Sequence, residues 1–595
     1  MKKFILISAI FIFVFINNCQ SQVELVSPDN SVYTFLQRMH TLEVIPGYNP
    51  GNIPLSREVI VSFLRIIENN PKKTTNTDKQ ILKDYNVEFL YELTGNLKNS
   101  AALFHEVKDI FSDKKQKYLY MYNDSNATLF LDALGGLSQR GSDGDSIGKN
   151  SILLGELGFR VRGTLFNSVG YYLRASNGQK LSGDTDAVNF ARYTDPKLYA
   201  QYKFQYERRN FDTFDGYLRY RTNKNWLALT VGRNPVYQGF GFIDRLYLSN
   251  NSVPYDFLKL DLAYKAVTYS FLYGSLRGDS LGRPLDAKNI ATHRLDIQFS
   301  NAFRLGFFES VTIANSPFSF TFLNPISFLT SAELNKASQP DVNNVNNAII
   351  GLDMMVLPVK KLALQASFLL DDFEFATLFD DNAKVTNKFG FQFGLLWADA
   401  FTIKNIDLAA EYTRLDPFVY THVSNKTTYT NWGQPLGHHL EPNSDEYAFK
   451  MNYNITNRIK LNLLYQHQRS ANGIELDSLG RVVVNYGGNI NNASGYSYSD
   501  PEFLKGNRID RDIITTPTFI ISDILRNTVL VKCQGKTDKE ILKLKFADIS
   551  CGSGAFLLEL FQLLNDILID YYLKNDKSKL TQTNLDTYKL PFKIK

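Results

Sequence analysis

Residues whose types and spacing could do chemistry cluster in a few short stretches. In Ala547 to Leu557, Asp548 precedes Gly552-Ser553-Gly554. The apolar positions Leu542, Leu544 and Phe546 before it read as a buried strand, and Ala555 to Leu568 after it as a helix. Glycines between a strand and a helix N-terminus let the backbone approach a nucleotide cofactor closely. Asp548, Gly552 and Gly554 are therefore the cofactor-binding candidates. His438 and His439 are adjacent, so on extended chain their side chains diverge, and no metal site is expected there. Glu411 and Arg414 have an odd separation and fall on opposite faces of a strand. That suits one lumen residue and one interface residue better than a catalytic pair. With no nucleophile-elbow sequence near them, no catalytic residue is assigned.

The elements that must position these residues change character along the chain. Met1-Lys2-Lys3 followed by the apolar run Phe4 to Ile16 has the form of a secretory signal. Cys19 and Ser21 put small residues at −3 and −1 of a cut before Gln22, with lipidation of Cys19 as the alternative. The mean hydropathy is −0.22, and no long apolar stretch recurs to suggest further transmembrane helices. Aromatic residues make up 13% of the 595, with 33 Tyr and 44 Phe, which on an exported chain fits an outer-membrane barrel with aromatic girdles. A large soluble exported β-protein is the alternative. The net charge of +5 belongs to the ends: residues 571–595 carry six Lys against two Asp, and Lys2 and Lys3 lie in the signal. No basic face for nucleic acid follows for the main body. The three cysteines, Cys19, Cys533 and Cys551, leave 22–532 without any, so neither a disulfide framework nor a Cys-ligated zinc site can form there.

From Asp29 to Leu97 the apolar period is helical: Val32, Phe35, Leu36 and Met39, then Ile60, Phe63, Leu64 and Ile67, then Leu82, Tyr85, Phe89 and Leu93. The Thr77 to Gln80 spacing marks the third helix start as a capping box. From about Lys117 the period becomes two. Leu153, Leu157, Phe159 and Val161 share one face while Glu156, Arg160 and Arg162 share the other. Tyr447 to Ile455 and Ile459 to Tyr465 alternate likewise around a Thr456-Asn457 turn, giving a hairpin with one lipid-like and one wet face. Backbone groups in hydrocarbon must all be paired, so such strands persist there only as a closed barrel.

Ordered blocks along this region carry a family resemblance. They include Gly232-Arg233-Asn234-Pro235-Val236-Tyr237-Gln238-Gly239-Phe240-Gly241, His293-Arg294-Leu295-Asp296, Leu323-Asn324-Pro325, and Pro435-Leu436-Gly437-His438-His439. Across about 31–510 the chain resembles the capsule assembly protein Wzi family. The resemblance implies an outer-membrane barrel of about 16 to 18 strands behind an N-terminal periplasmic helical bundle. It also implies a lectin-like, non-enzymatic role in assembling or retaining capsular polysaccharide or exopolysaccharide. The long connections Tyr420 to Asn443 and Asn485 to Asp500 could offer aromatic and amide groups to sugars. A diffusion porin is the alternative.

From about 511 to 595 the chain instead resembles the start of an N6-adenine DNA methyltransferase. The carriers are Thr515-Thr516-Pro517-Thr518-Phe519-Ile520 and the Asp548 to Leu557 turn, with Asp548-Ile549-Ser550 departing from the usual Asp-Pro-Ala. This implies an incomplete Rossmann-like α/β fragment, with Asp548, Gly552 and Gly554 as a vestigial S-adenosylmethionine motif. The family's Asn-Pro-Pro-aromatic motif occurs nowhere in the 595 residues, and only about forty residues follow Gly554. An active adenine-specific methyltransferase is thus the least supported reading, and no cofactor is expected otherwise. The expected division is a signal over 1–21, helices over 22–115, barrel over 116–510 and fragment over 511–595. Expected partners are polysaccharide, outer-membrane lipid and the barrel assembly machinery, without nucleic acid. The fragment stands where a closing strand belongs, so an unpaired barrel edge is expected beside it.

Overall fold

Period-two alternation over most of the chain builds one wall of antiparallel strands. The structure is a computed structural model that describes 22–515 apart from 99, 105–113, 143–148, scattered positions within 194–205, 278–287, 315–317, 333–345, 372–387, 423–424 and 492–501. Beyond 515 it describes only 567–569, 571–575, 581–584 and 587–589. Seventeen strands close into a barrel in chain order. They begin with β1 (Tyr120–Asn123), β2 (Thr128–Ser142), β3 (Asn150–Leu165), β4 (Val169–Ser182), β5 (Asn210–Arg221) and β6 (Leu227–Arg233). Next come β7 (Asp256–Tyr264), β8 (Val267–Leu276), β9 (Lys288–Gln298), β10 (Phe303–Ala314), β11 (Asn347–Val359) and β12 (Leu362–Asp371). The ring ends with β13 (Lys388–Trp397), β14 (Ile406–Leu415), β15 (Ser444–Asn454), β16 (Lys460–Asn472) and β17 (Asn507–Thr515).

The two faces of the wall follow the alternation. Leu157 is 75% exposed and Leu218 59%, both pointing outward, while their neighbours Arg162, Tyr217 and Arg219 are buried inward. The β15–β16 hairpin forms as expected, with Tyr447 opposite His467 and Phe449 opposite Tyr465. Short turns close one end of the barrel, at 124–127, 166–168, 222–226, 265–266, 360–361 and 455–459, and long connections leave from the other. Among the described residues no helix is long and apolar enough to cross a membrane.

Three helices, α1 (Val32–Thr41), α2 (Arg57–Glu68) and α3 (Asn76–Glu88), pack around a shared core of Leu36, Met39, Ile60, Leu64 and Tyr85. They seat on the short-turn end. Arg38 of α1 is buried and bonds to Asp78 of α3, and to Asp399 and Asp407 at the β13–β14 turn. The capping box of α3 begins earlier than expected. The Thr75 hydroxyl accepts the Asp78 N–H at 3.0 Å and the Asp78 carboxylate accepts the Thr75 N–H at 3.0 Å. Aspartate at the third helical position does the work that the Glu/Gln pattern assigns to a longer side chain.

The ring also corrects the expected open edge. β17 runs across Arg511 and pairs with β16 from Asn507 opposite Asn472 to Thr515 opposite Leu464. Ladder hydrogen bonds are made by backbone, so a segment of other origin can fill the place if it stays extended. Hairpin-linked neighbours all run antiparallel, so with seventeen strands β1 and β17 run the same way. Single-chain bacterial barrels generally have even counts.

Candidate functional site

Charged residues on the inward face need water or protein partners, and here inserted segments of the chain supply many of them. Two connections and an N-terminal segment do so. The connection 234–255, between β6 and β7, folds into the barrel from the long-loop end, and 43–56, between α1 and α2, enters from the short-turn end. They meet as a two-residue antiparallel bridge, Asn52 opposite Gln238 and Ile53 opposite Tyr237. Gly51 lies where an added Cβ would stand 2.7 Å from both Arg294 and Phe240, so the backbone passes there only as glycine.

Arg294 of β9 is the node of this junction. It is 0% exposed and donates to Asp296 at 2.6 Å and to Asp353 of β11 at 2.9 Å, with Phe240 of the plug 5.1 Å from its guanidinium. Asp353 also accepts the Phe240 N–H at 3.0 Å, and Asp296 accepts from Asn49 at 3.1 Å. Both inserted segments are thereby tied to the same pair of wall carboxylates. Glu411 of β14 holds the next part of the plug by accepting the N–H groups of Phe242, Ile243 and Asp244 at 2.5, 3.0 and 3.1 Å. Arg414 lies on the opposite, outer face, paired with Asp416, so the expected divergence of Glu411 and Arg414 holds.

Asp244 then links the plug to a third connection, 416–443. His439 donates from Nδ1 to Asp244 at 2.7 Å and from Nε2 to Glu446 of β15 at 3.0 Å. Gln466 and Gln468 of β16 add bonds to Glu446 at 3.0 and 2.7 Å. Burial works against a charged His439, but its bonds to Asp244 and Glu446 win and push it up to about 10. Burial pushes His438 down to about 4. For Asp244, burial is outweighed by the two imidazoles, which hold it well below the usual carboxylate range.

The two histidine rings do not diverge. They stack 4.5 Å apart, because this chain is a folded loop inside the barrel and not a strand. Asp244, His438 and His439 bring ligand-type atoms within 4.8 Å of one another. Hydrogen bonds join those atoms to their neighbours. His439 offers N–H to a carboxylate on each side, and the His438 Nδ1 accepts the Leu440 N–H at 3.3 Å. His438 then carries its proton on Nε2, facing Asp244 at 3.9 Å. The group is an ion-paired strut.

The connection Tyr420 to Asn443 is likewise mostly lumen packing. Tyr420, Tyr429 and Asn443 are 0% exposed, with the Tyr420 hydroxyl donating to Leu246 O at 2.5 Å. Those rings cannot stack on sugars. In the hairpin of Thr430–Asn431 with Gln434–Pro435, Trp432 helps line a cavity of about 340 Å³. Asp215, Arg233, Tyr255, Asp256, Arg277 and Asn431 are among its other lining residues. A second cavity, about 400 Å³, lies beside the strut and is lined by Asp244, Arg245, His439, Lys450 and Gln466. Asp548, Gly552 and Gly554 lie outside the described residues, as do most of Asn485 to Asp500 and the 1–21 signal. Asp353 and Asp244 are not singled out by the sequence, and Arg294 stands there only within a family block. Their signal was a charged residue on the wet face of an otherwise apolar strand, or in a glycine-rich loop.

Comparison with known proteins follows the same division. The model of the capsule assembly protein Wzi family matches residues 155–499. Among solved structures the chain is similar to Wzi of Escherichia coli, described as an outer membrane protein involved in group 1 capsule assembly and a carbohydrate-binding β-barrel. That likeness has 13% identity, a TM-score of 0.45, and covers 75% of this chain and 85% of that one. The chain is also similar to Salmonella typhi OmpF, at 11% identity and a TM-score of 0.33, covering 67% of this chain and 99% of that one. Among curated proteins, the type II restriction enzyme and methyltransferase RM.Eco57I of Escherichia coli is 62% identical over 91 residues. Those residues are 15% of this chain and 9% of that protein, so the chain spans under a tenth of that relative.

Proposed function

The chain belongs to the capsule assembly protein Wzi family, and from that premise we propose that it assists assembly or retention of capsular polysaccharide or exopolysaccharide at the cell surface. It is an outer-membrane barrel. The role is lectin-like and non-enzymatic, with the long-loop end facing the outside and the three helices in the periplasm after signal cleavage near Ser21. Outer-membrane lipid and the barrel assembly machinery are the further partners, and no cofactor takes part. Residues 511–595 are, in this reading, a methyltransferase-derived piece without activity. Their Asp548, Gly552 and Gly554 are a vestige of an S-adenosylmethionine turn.

The observation that carries this reading is the filled lumen. Arg294 locks 43–56 and 234–255 to the same wall carboxylates, so a polymer is handled at the rim and not passed through. Deleting the gene and partitioning polysaccharide between cells and medium is the test. The released fraction should rise and return to normal on complementation; an unchanged partition would refute the role. A diffusion porin would conduct in planar bilayers, whereas this chain should pass little current.

A further inference from the structure

The rim cavity sets an aromatic ring beside a cation. Trp432 and Gly433 occupy the centre of a two-residue hairpin turn, with φ of +57° and +71°. Such turns favour Asn, Asp or Gly at both positions, because a side chain at positive φ is strained. An indole is among the least suited groups for that place, and strained residues concentrate at ligand sites. The turn is held from three sides: Trp432 N–H donates to Arg277 O at 3.3 Å, Arg277 N–H to Asn431 Oδ1 at 2.9 Å, and Asn491 Nδ2 to Gly433 O at 2.9 Å. The ring is thus fixed, half-buried, against the cavity.

The charges lining the cavity are two acidic and two basic: Asp215, Asp256, Arg233 and Arg277. Arg233 and Asp256 satisfy each other through two bonds of 3.1 and 2.7 Å. Arg277 has its guanidinium 5.1 Å from the Trp432 ring and, among the described residues, makes no ion pair. A guanidinium stacked on an aromatic ring keeps its planar edge for a carboxylate, and the stacking orders it beforehand. At about 340 Å³ the cavity is at the small end of ligand sites, of the size for one or two sugar rings.

We propose that this cavity is a subsite for an acidic sugar unit of a surface polysaccharide, a uronic acid whose C–H face lies on Trp432 and whose carboxylate meets Arg277. The assignment rests on the surface-polysaccharide reading above and adds the class of sugar. The full chain in detergent micelles would be titrated calorimetrically with a glucuronate-containing tetrasaccharide and with its carboxyl-reduced form. Wild type should prefer the acidic probe about tenfold or more, as a charge-assisted bond implies. Arg277→Gln should remove that preference and leave the neutral probe unchanged, with Arg277→Lys restoring part of it. Trp432→Gly, which keeps the positive-φ turn, should weaken both probes. Heat-modifiable migration checks that each variant is folded. Equal affinity of Arg277→Gln and wild type for the acidic probe overturns the subsite, as does binding of neither probe by wild type. If cells nonetheless lose polysaccharide on gene deletion, the surface role survives that failure. If partition is unchanged while the probe preference holds, the role falls and the subsite stands.

Discussion

Strands β16 and β17 lie side by side and both carry charge outward, yet their inward faces differ: β16 turns amides to the plug and β17 turns mostly isoleucine. On β16, Tyr465, His467 and Arg469 point out along the stretch that β17 pairs with, while Gln466 and Gln468 point in to Glu446 and the plug. Residues directly opposite share a face. Ile509, Arg511 and Ile513, opposite Ser470, Gln468 and Gln466, therefore point inward, and Arg508, Asp510 and Asp512 point outward. The outward charges are satisfied sideways: Arg508 by Asp510 at 2.9 Å, and Asp512 by Tyr465 at 2.7 Å and His467 at 3.0 Å. Backbone pairing accepts either polarity. Side-chain polarity on the inward face is what separates β17 from β16.

The largest test of that difference is to remove the strand. A stop after Gly506 strips β17 and leaves the β16 edge unpaired in hydrocarbon, so no heat-modifiable barrel should form. A stop after Thr515 should leave the barrel intact. If both truncations fold alike, β17 contributes nothing to closure.

Inward charge on the rest of the wall should be far less dispensable than outward charge on β17. Arg294→Met strands Asp296 and Asp353 in the filled lumen and should cost about 3–5 kcal/mol. Urea unfolding in micelles reads the loss, and a change below about 1 kcal/mol would mean the node is not what holds the plug.

Next come substitutions on the outer face. Leu218→Arg, on β5, should cost about 2–4 kcal/mol if its site is near the bilayer midplane. Asp512→Leu should do the reverse and raise the melting temperature, since it removes a charge from that same face. A loss of stability in Asp512→Leu would show that β17 meets headgroups or water and not hydrocarbon.

What the sequence made legible divides along the same physical line. Strands such as Tyr447 to Ile455 and Ile459 to Tyr465 are legible because two solvents impose period two, and the structure has them within Ser444–Asn454 and Lys460–Asn472. The blocks Gly232 to Gly241 and Pro435 to Asn443 were visible as family signatures but not as a lumen plug. Their fold is set by wall residues more than a hundred positions away, as Glu411 is from Phe242. His438 and His439 were misread because divergence assumes extended chain, and Tyr420 to Asn443 because polar loops look external. The apolar inward residues of β17 are placed only by its register, since a one-residue slip exchanges the two faces.

The smallest expected effect at neutral pH is on the strut that anchors β15 and β16 to the plug, an inward link for which β17 has no counterpart. His439→Gln should cost about 2 kcal/mol at pH 7, the scale of charge-assisted hydrogen bonds. Its pH signature is more telling. The folded-state value of His439 is raised to about 10, so its stabilisation is fully present below the ordinary histidine value of about 6.5 and is lost as pH rises towards 10. His438 is shifted the other way, to about 4, so charging it opposes folding as pH falls from about 6.5 towards 4. Melting curves of wild type should therefore peak between these limits. His439→Gln should flatten the alkaline side and His438→Asn the acid side. If His439→Gln leaves the alkaline slope intact, the proton is not held between Asp244 and Glu446, and the inward anchoring of β16 must come from Gln466 and Gln468 alone.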